Sequence, residues 1–227
     1  MKYISLGGWC GTTMSLRGNK LYNDAYPFDH VRSTFNGIVD CFENDFKNYF
    51  PKTIELDKKI SGYKWNSFRG KYFGFYHHNL LDSNEINKLK NRIIRLDDLL
   101  KTTNENIIFM RTIVSNNYND ELNLGEKFIN VIKLKYPALK FILVFCVPGQ
   151  RYTGYYKSIN GSIFVFSLYD RIKKNNNNLH NEYKPIYNFI STHNLFESIP
   201  NNADISLING KNYYSTAEGF SFTREDN

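Results

Sequence analysis

The run LKFILVFCV, residues 139–147, constrains the fold of this chain more than any other segment. It is almost continuously apolar and lies between Pro137 and Pro148, so it has the length and composition of a strand that is covered on both faces. Strands of this kind occur mainly in parallel sheets that carry helices on both sides. The run is much too short to span a bilayer, and no apolar run in the chain approaches the length needed.

Three further runs have the composition of strands, and segments with helical apolar spacing separate them. The predicted strands are residues 3–6, 106–114 and 161–170, and an aromatic strand or hairpin ends at the pair His77 and His78. Helices are predicted from Cys10 to Gly18, over 35–50, from an N-cap at Ser83 to about residue 100, from Leu122 to Pro137, and over 181–193. This alternation predicts an α/β fold with a mainly parallel central sheet flanked by helices.

The length of 227 residues, 41% of them hydrophobic, is sufficient for one sizeable core. We therefore predict a single α/β domain over residues 1–227, in which residues 150–227 form either a lid or an extension that completes the sheet. The first residues lack the pattern of a signal peptide. Three cysteines without a CxxC pair indicate neither a disulfide framework nor a cysteine zinc site. These features favour a cytoplasmic protein, or one of the host cytoplasm if the source is viral.

The formal charge of +7 permits binding to nucleic acid or to an anionic surface. The lysines are dispersed, however, and accompanied by Asn and Ile, a composition that indicates the AT-rich genome of a bacterium or a large (giant) DNA virus. The only basic run, DRIKKNNNN at residues 170–178, has the composition of a solvated loop. We expect neither nucleic acid nor a membrane as partner, and the sequence leaves the oligomeric state open.

The turn after the first predicted strand is the best candidate for a site. In open α/β sheets, ligands bind beyond the carboxyl ends of the strands, and here Gly7 and Gly8 are followed by Cys10 at the start of a predicted helix. The unpaired N–H groups of a helix N-terminus favour a thiolate over a thiol. Alternatively, this turn binds a sugar, a nucleotide or another anionic ligand, although the glycine patterns of nucleotide-binding loops are absent.

A cysteine nucleophile needs a histidine base and a group that orients the histidine. The candidates are His77 and His78, with Asp29 and His30 in the segment YPFDH. Packing alone would also account for a cysteine here, because cysteine is among the most buried residue types. Cys41 and Cys146 lie in predicted core positions, and we interpret both as packing residues.

Several motifs occur together in an order that a known family shares. They are YISLGGWCGTTMSLR, AYPFDHVRST, an aromatic segment ending in FYHHN, RIIRLDDLL and NIIFMRT, and they extend from about residue 2 to residue 147. In this respect the chain resembles the domain family described as putative papain-like cysteine peptidases. The resemblance implies Cys10 as nucleophile, a histidine of the pair His77 and His78 as base, and Asp29 as an orienting residue. It also makes an α+β papain-like fold the alternative to the mainly parallel sheet.

Of the two histidines we favour His77, since successive side chains of a strand point to opposite faces. Candidate substrate-binding residues are Gly8, Trp9, Gly11, His30, Arg95 and Arg111. Backbone N–H groups at Gly11 are expected to stabilise an oxyanion. Arg111, at the carboxyl end of a predicted strand, is expected to contact a ligand. Arg92 and Arg95 lie about one turn apart on one predicted helix and are candidates for a clamp on a carboxylate or a phosphate, although a surface salt bridge is the expected role of Arg92.

The resulting hypothesis is a cysteine hydrolase or acyltransferase that acts on a peptide, an acyl compound or another small molecule. It requires no cofactor and no metal. The alternatives are a transferase-like enzyme and a non-catalytic α/β domain, each binding a sugar, a nucleotide or another anionic ligand in the loop after the first strand.

Overall fold

A computed structural model describes residues 1–52, 68–169, 179–204 and 206–208, and eight strands lie within these ranges. The strands are β1 (Lys2–Ser5), β2 (Arg32–Ser33), β3 (Phe68–Arg69), β4 (Phe73–Phe75), β5 (Ile107–Thr112), β6 (Phe141–Gln150), β7 (Gly154–Ser158) and β8 (Ile163–Tyr169). The central sheet has the order β1-β5-β6-β8-β7. All its pairings are parallel except that between β7 and β8, so β7 is an antiparallel edge strand.

Helices cover both faces of this sheet. They are α1 (Cys10–Gly18), α2 (Phe35–Glu43), α3 (Ser83–Thr102), α4 (Tyr118–Leu122), α5 (Gly125–Lys135) and α6 (Leu179–Thr192). Alternation along β5 separates two cores, because Ile107 and Phe109 belong to one apolar cluster and Ile108 and Met110 to the other. The first core contains residues of α2, α3 and α5, and the second contains residues of α1 and α6.

A second, smaller sheet packs beside the loop that follows β1. It has the antiparallel order β2-β4-β3, and a bridge between Gly8 and Arg32 ties it to the loop. Aromatic rings fill the space behind it: Phe28 stacks on Phe73 with ring centroids 6.2 Å apart, and the Tyr49 hydroxyl donates a hydrogen bond to the carbonyl of Pro27. This packing fixes the segment Tyr26–His30 against the start of α1.

The mainly parallel α/β architecture confirms the fold predicted from the sequence, and the α+β alternative is not adopted. Within residues 150–227, β7 and β8 extend the sheet and α6 packs on α1. The basic run at residues 170–178 lies outside the described residues. Residues 209–227, which belong to the segment predicted as a lid or sheet extension, also lie outside them. A strand at β7 is not anticipated by the sequence analysis.

Three predicted helix boundaries are wrong. The helix expected from Leu122 to Pro137 begins at Gly125 and ends at Lys135, after the separate short helix α4. The helix expected over 35–50 ends at Glu43, because Asp45 and Phe46 adopt positive φ angles of 50° and 60° that interrupt helical geometry. The third helix begins at Ser83, but its N-cap is Asp82, whose carboxylate accepts a hydrogen bond from the backbone N–H of Asn84 at 2.9 Å.

Candidate functional site

The site is built around the loop between β1 and α1. Gly7 and Gly8 adopt positive φ angles of 67° and 89°, and a Cβ at Gly8 would lie 2.3 Å from the carbonyl oxygen of Thr112. The loop therefore passes so close to the end of β5 that only glycine fits. The chain then enters α1 at Cys10, and the preceding Trp9 makes no side-chain capping bond to the helix.

The three cysteines differ in their surroundings. Cys10 is partly exposed, whereas Cys41 and Cys146 are completely buried. Burial raises the pKa of the Cys41 and Cys146 thiols well above the ordinary value. The two buried thiols are thus suited to packing, while Cys10 lies at a helix N-terminus within reach of solvent.

Asp29 joins the segment Tyr26–His30 to α1. Its buried carboxylate accepts hydrogen bonds from the Thr13 hydroxyl at 2.9 Å, from the Tyr22 hydroxyl at 3.0 Å and from the backbone N–H of Tyr26 at 2.8 Å. Burial raises the pKa of the Asp29 carboxyl, and these three donors act in the opposite direction. No described histidine donates to this carboxylate, so Asp29 anchors the segment instead of binding a histidine through its side chain.

Three histidines gather beside this anchor. His30, which has a positive φ of 59°, contacts His77 with ring centroids 5.8 Å apart. Burial lowers the pKa of His30 to about 4, and the charges of Arg17, His77, His78 and Arg92 contribute. His30 is therefore neutral at pH 7.

His77 and His78 have different environments, but strand alternation is not the reason: the strand predicted to end at this pair ends at Phe75, and both histidines follow it. His77 is exposed, whereas His78 is 7% exposed and its Nδ1 lies 3.3 Å from a carboxylate oxygen of Glu85. Burial lowers the pKa of His78, and the bond to Glu85 raises it. The Nε2 atom of His78 is buried without a hydrogen-bond partner in the described part of the chain.

One face of α1 connects Cys10 with this group. Residues at i, i+3 and i+7 share a helix face, so Cys10, Thr13 and Arg17 lie along the same side of α1. Thr13 binds Asp29, and the charge of Arg17 acts on His30. Thr13 therefore places Asp29 one helical turn from Cys10, and Cys10 itself packs against the second core.

Arg111, expected to contact a ligand, is 0% exposed and bonded within the protein. Its guanidinium donates to both carboxylate oxygens of Glu121 at 2.7 and 3.1 Å, to the carbonyl oxygens of Leu6 and Ser33, and to the Ser33 hydroxyl. Gly8 packs directly beside it. In this structure Arg111 holds the loop after β1 in place and presents no surface to a ligand.

The remaining predicted residues differ in solvent exposure and in the contacts they make. Trp9 is buried over Gly11, where an added Cβ would lie 1.9 Å from the indole ring. Arg95 is exposed on α3 and donates to the carbonyl of Ala25 at 2.9 Å. Arg92, expected to form a surface salt bridge, makes no ion pair with a described acidic residue, and its Nη1 atom is buried without a hydrogen-bond partner there.

The sequence analysis misses Glu85 and gives Arg92 the wrong surroundings. Glu85 lies in the first turn of α3, only seven residues after His78. This short sequence separation was the one signal that could have linked the two side chains. Thr13, one turn after Cys10, is likewise recognisable only by its place on the helix face. Among the described residues, no three His, Cys, Asp or Glu side chains form a group able to hold a metal ion. No helix in the described ranges is long and apolar enough to span a membrane.

Fold and site together define an α/β protein with a cysteine at the first turn of a helix and histidines packed against the same region. The chain belongs to the family described as putative papain-like cysteine peptidases, whose model matches residues 1–150. No curated protein and no solved structure gives a significant match to the chain. The matched range includes β1, α1, the segment Tyr26–His30, both histidines of the pair and Arg111.

Proposed function

We propose that the protein is a cysteine hydrolase or acyltransferase in which Cys10 is the nucleophile and His78 its base. The observation that carries this proposal is a partly exposed cysteine at the first residue of α1, on the helix face that Asp29 joins to a histidine cluster. Membership of the family supports a hydrolase-like function in general terms. The residue roles are our assignment.

The position of Cys10 favours its thiolate. The first N–H groups of a helix have no intrahelical acceptors, and the helix dipole adds a partial positive charge. Trp9 offers no side-chain cap that would compete for these N–H groups. The backbone N–H groups of Gly7 and Gly8 are already bonded to the hydroxyls of Ser5 and Ser33. The N–H of Gly11 is the better donor for a developing oxyanion.

His78 has the arrangement of a general base. A carboxylate on Nδ1 fixes the tautomer and the ring orientation, which leaves Nε2 to accept the proton of the nucleophile. Glu85 supplies this carboxylate to His78. The sequence favoured His77, but the bond to Glu85 makes His78 the stronger candidate. Among the described residues, Nε2 has no hydrogen-bond partner, so the Cys10 thiol is not bonded to it here, and such bonds often form only with substrate present.

The chemistry follows from these roles. His78 takes the proton of the Cys10 thiol as the sulfur attacks a substrate carbonyl, and the carbonyl electron pair moves to oxygen near the N–H of Gly11. When the intermediate collapses, the bond to the leaving group breaks and His78 returns the proton to that group. Water, or another acceptor activated by His78, then releases the acyl group from sulfur. The substrate is a peptide, an acyl compound or another small molecule.

The test is the pH dependence of alkylation at Cys10, measured by mass spectrometry on native protein. Cys41 and Cys146 serve as internal controls, because both are buried. We expect Cys10 to react rapidly at pH values well below the free-thiol pKa of about 8.5, and the buried pair to react only after denaturation.

Two matched variants assign the base. His78→Gln is expected to abolish the fast reaction of Cys10 at low pH, whereas His77→Gln, which changes an exposed neighbour, is expected to leave it largely intact. The reverse pattern would assign the base to His77. A Cys10 that reacts as slowly as Cys146 in native protein would refute the proposal and favour a non-catalytic domain that binds an anionic ligand.

A further inference from the structure

Arg92 is the starting point, because its charge is unbalanced in a partly buried position. Its Nη1 atom is buried with no hydrogen-bond partner in the described ranges, although a guanidinium offers five N–H donors that are costly to leave unpaired. Its positive charge acts on Asp29, His30 and His78. Arg92 therefore lies close enough to Asp29 and to the histidines for its charge to act on them.

Several basic side chains lie around Arg92, of which the arginines carry a permanent charge whereas His30 is neutral at pH 7. We call these the basic cluster: Arg17, His30, His77, His78 and Arg92. Two carboxylates lie near them. Asp29 is committed to Thr13, Tyr22 and Tyr26, and Glu85 is shared between His78 and Lys88, which donates to it at 2.6 Å. Neither carboxylate binds Arg92 by hydrogen bonding.

We propose that the basic cluster binds an oxyanion, a carboxylate or phosphate group, through Arg92, and that this group belongs to the substrate of the enzyme proposed above. The identification of the oxyanion as part of the substrate rests on the proposed function. The binding of an oxyanion does not, because it could occur here without catalysis. A guanidinium binds either oxyanion through two parallel N–H···O bonds, which matches an arginine with an unused donor. The substrate class is then an acyl compound with a negative charge close to its reacting carbonyl.

The location next to α1 supports the link to Cys10. Arg17 lies on the same helix face as Cys10, and the charges of Arg17 and Arg92 both lower the pKa of His30. A bound anion would oppose that effect and raise the pKa of His30 and of His78. Binding of an anionic substrate would thereby strengthen His78 as a base at the moment when the Cys10 proton has to leave.

Isothermal titration calorimetry at low ionic strength tests the anion site, with inorganic phosphate and succinate as separate probes. We expect saturable binding of at least one probe, and the preferred probe distinguishes a phosphate from a carboxylate. Arg92→Met is expected to weaken binding about ten-fold or more, as expected for a lost charge-assisted pair. The control is Lys90→Met, which removes one positive charge from an exposed position of the same helix and should change the affinity less than two-fold, about the effect of a screened surface charge.

Absence of saturable binding by the parent protein, or equal weakening by Arg92→Met and Lys90→Met, would overturn the proposal. If Arg92→Met does not fold, Arg92→Lys replaces it: the charge is kept and the bidentate geometry is lost, so weaker binding is again expected. The variant Cys10→Ala separates the two proposals. It should bind the anion like the parent even if Cys10 proves unreactive, so failure of the anion site and failure of the catalytic role give different results.

Discussion

Two arginines near the loop after β1 have opposite environments. Arg111 is fully buried, and its guanidinium donates hydrogen bonds to Glu121, Ser33 and Leu6 within the protein. Arg92 is only partly buried, yet one of its nitrogens is sealed from solvent without a described partner. The more buried arginine is thus the one whose donors are satisfied, which is the arrangement that a stable core requires.

This difference separates a structural role from a binding role. A buried ion pair with complete hydrogen bonding has no donor left for a ligand, so Arg111 shapes the site from behind. An arginine with an unpaired N–H donor gains favourable free energy when a new acceptor binds to it. The sequence analysis selected Arg111 because it lies at the end of a parallel strand. The number of guanidinium N–H donors that have no partner within the protein is a better indicator of ligand binding than this position.

The largest expected effect comes from Arg111→Met. Removing one partner of a buried ion pair leaves the Glu121 carboxylate uncompensated, which typically costs about 3–5 kcal/mol. We expect the free energy of unfolding in urea to fall by that amount. A loss below about 1 kcal/mol would mean that the pair is not the anchor of the loop.

The double variant Arg111→Met with Glu121→Leu sharpens the same comparison. Replacement of both charges is expected to recover part of the lost stability. Recovery should be incomplete, since Glu121 also accepts hydrogen bonds from the backbone N–H groups of Val114 and Ser115 at 3.0 and 3.1 Å. Full recovery would contradict this role of Glu121.

A smaller loss of stability is expected when the pH is lowered. The folded pKa of His30 is about 4, below its unfolded value of about 6.5, so the unfolded chain binds more protons between these values. The contribution of His30 to the free energy of unfolding is fully present above about pH 6.5 and is lost as the pH falls toward about 4. We expect a loss on the order of 2 kcal/mol at this partly exposed site, measured by urea unfolding across the range.

The matched variant His30→Gln isolates this contribution. Asp29, whose pKa is raised, and His78, whose pKa is lowered, remain in both proteins, so the difference between the two pH profiles belongs to His30. We expect the profile of the variant to be flatter between pH 4 and 6.5. Identical profiles would show that His30 titrates normally.

The smallest effect on stability is expected from Arg92→Met. The side chain has no ion pair with a described acidic residue and is only partly buried, so its loss should change the free energy of unfolding by less than about 0.5 kcal/mol. Thermal and urea unfolding measure this directly. A destabilisation as large as that of Arg111→Met would erase the distinction between the two arginines.

The fold was largely predictable because its elements depend on local patterns. The runs at β1, β5, β6 and β8 are apolar enough to be covered on both faces, and the helices α1, α3 and α6 follow from apolar spacing. β7 was missed because it is a short, mixed edge strand. The end of α2 was missed because the positive φ angles of Asp45 and Phe46 are held by packing of the aromatic core.

The sequence by itself determined that Cys10 follows a strand and begins a helix, since glycines and apolar spacing near it are local properties. Only the tertiary structure decided that His78 is the one with a carboxylate, that Asp29 binds α1, and that Arg111 is used internally. Arg111 reaches Ser33 across 78 positions of the chain, and no local pattern encodes the approach of two such distant segments.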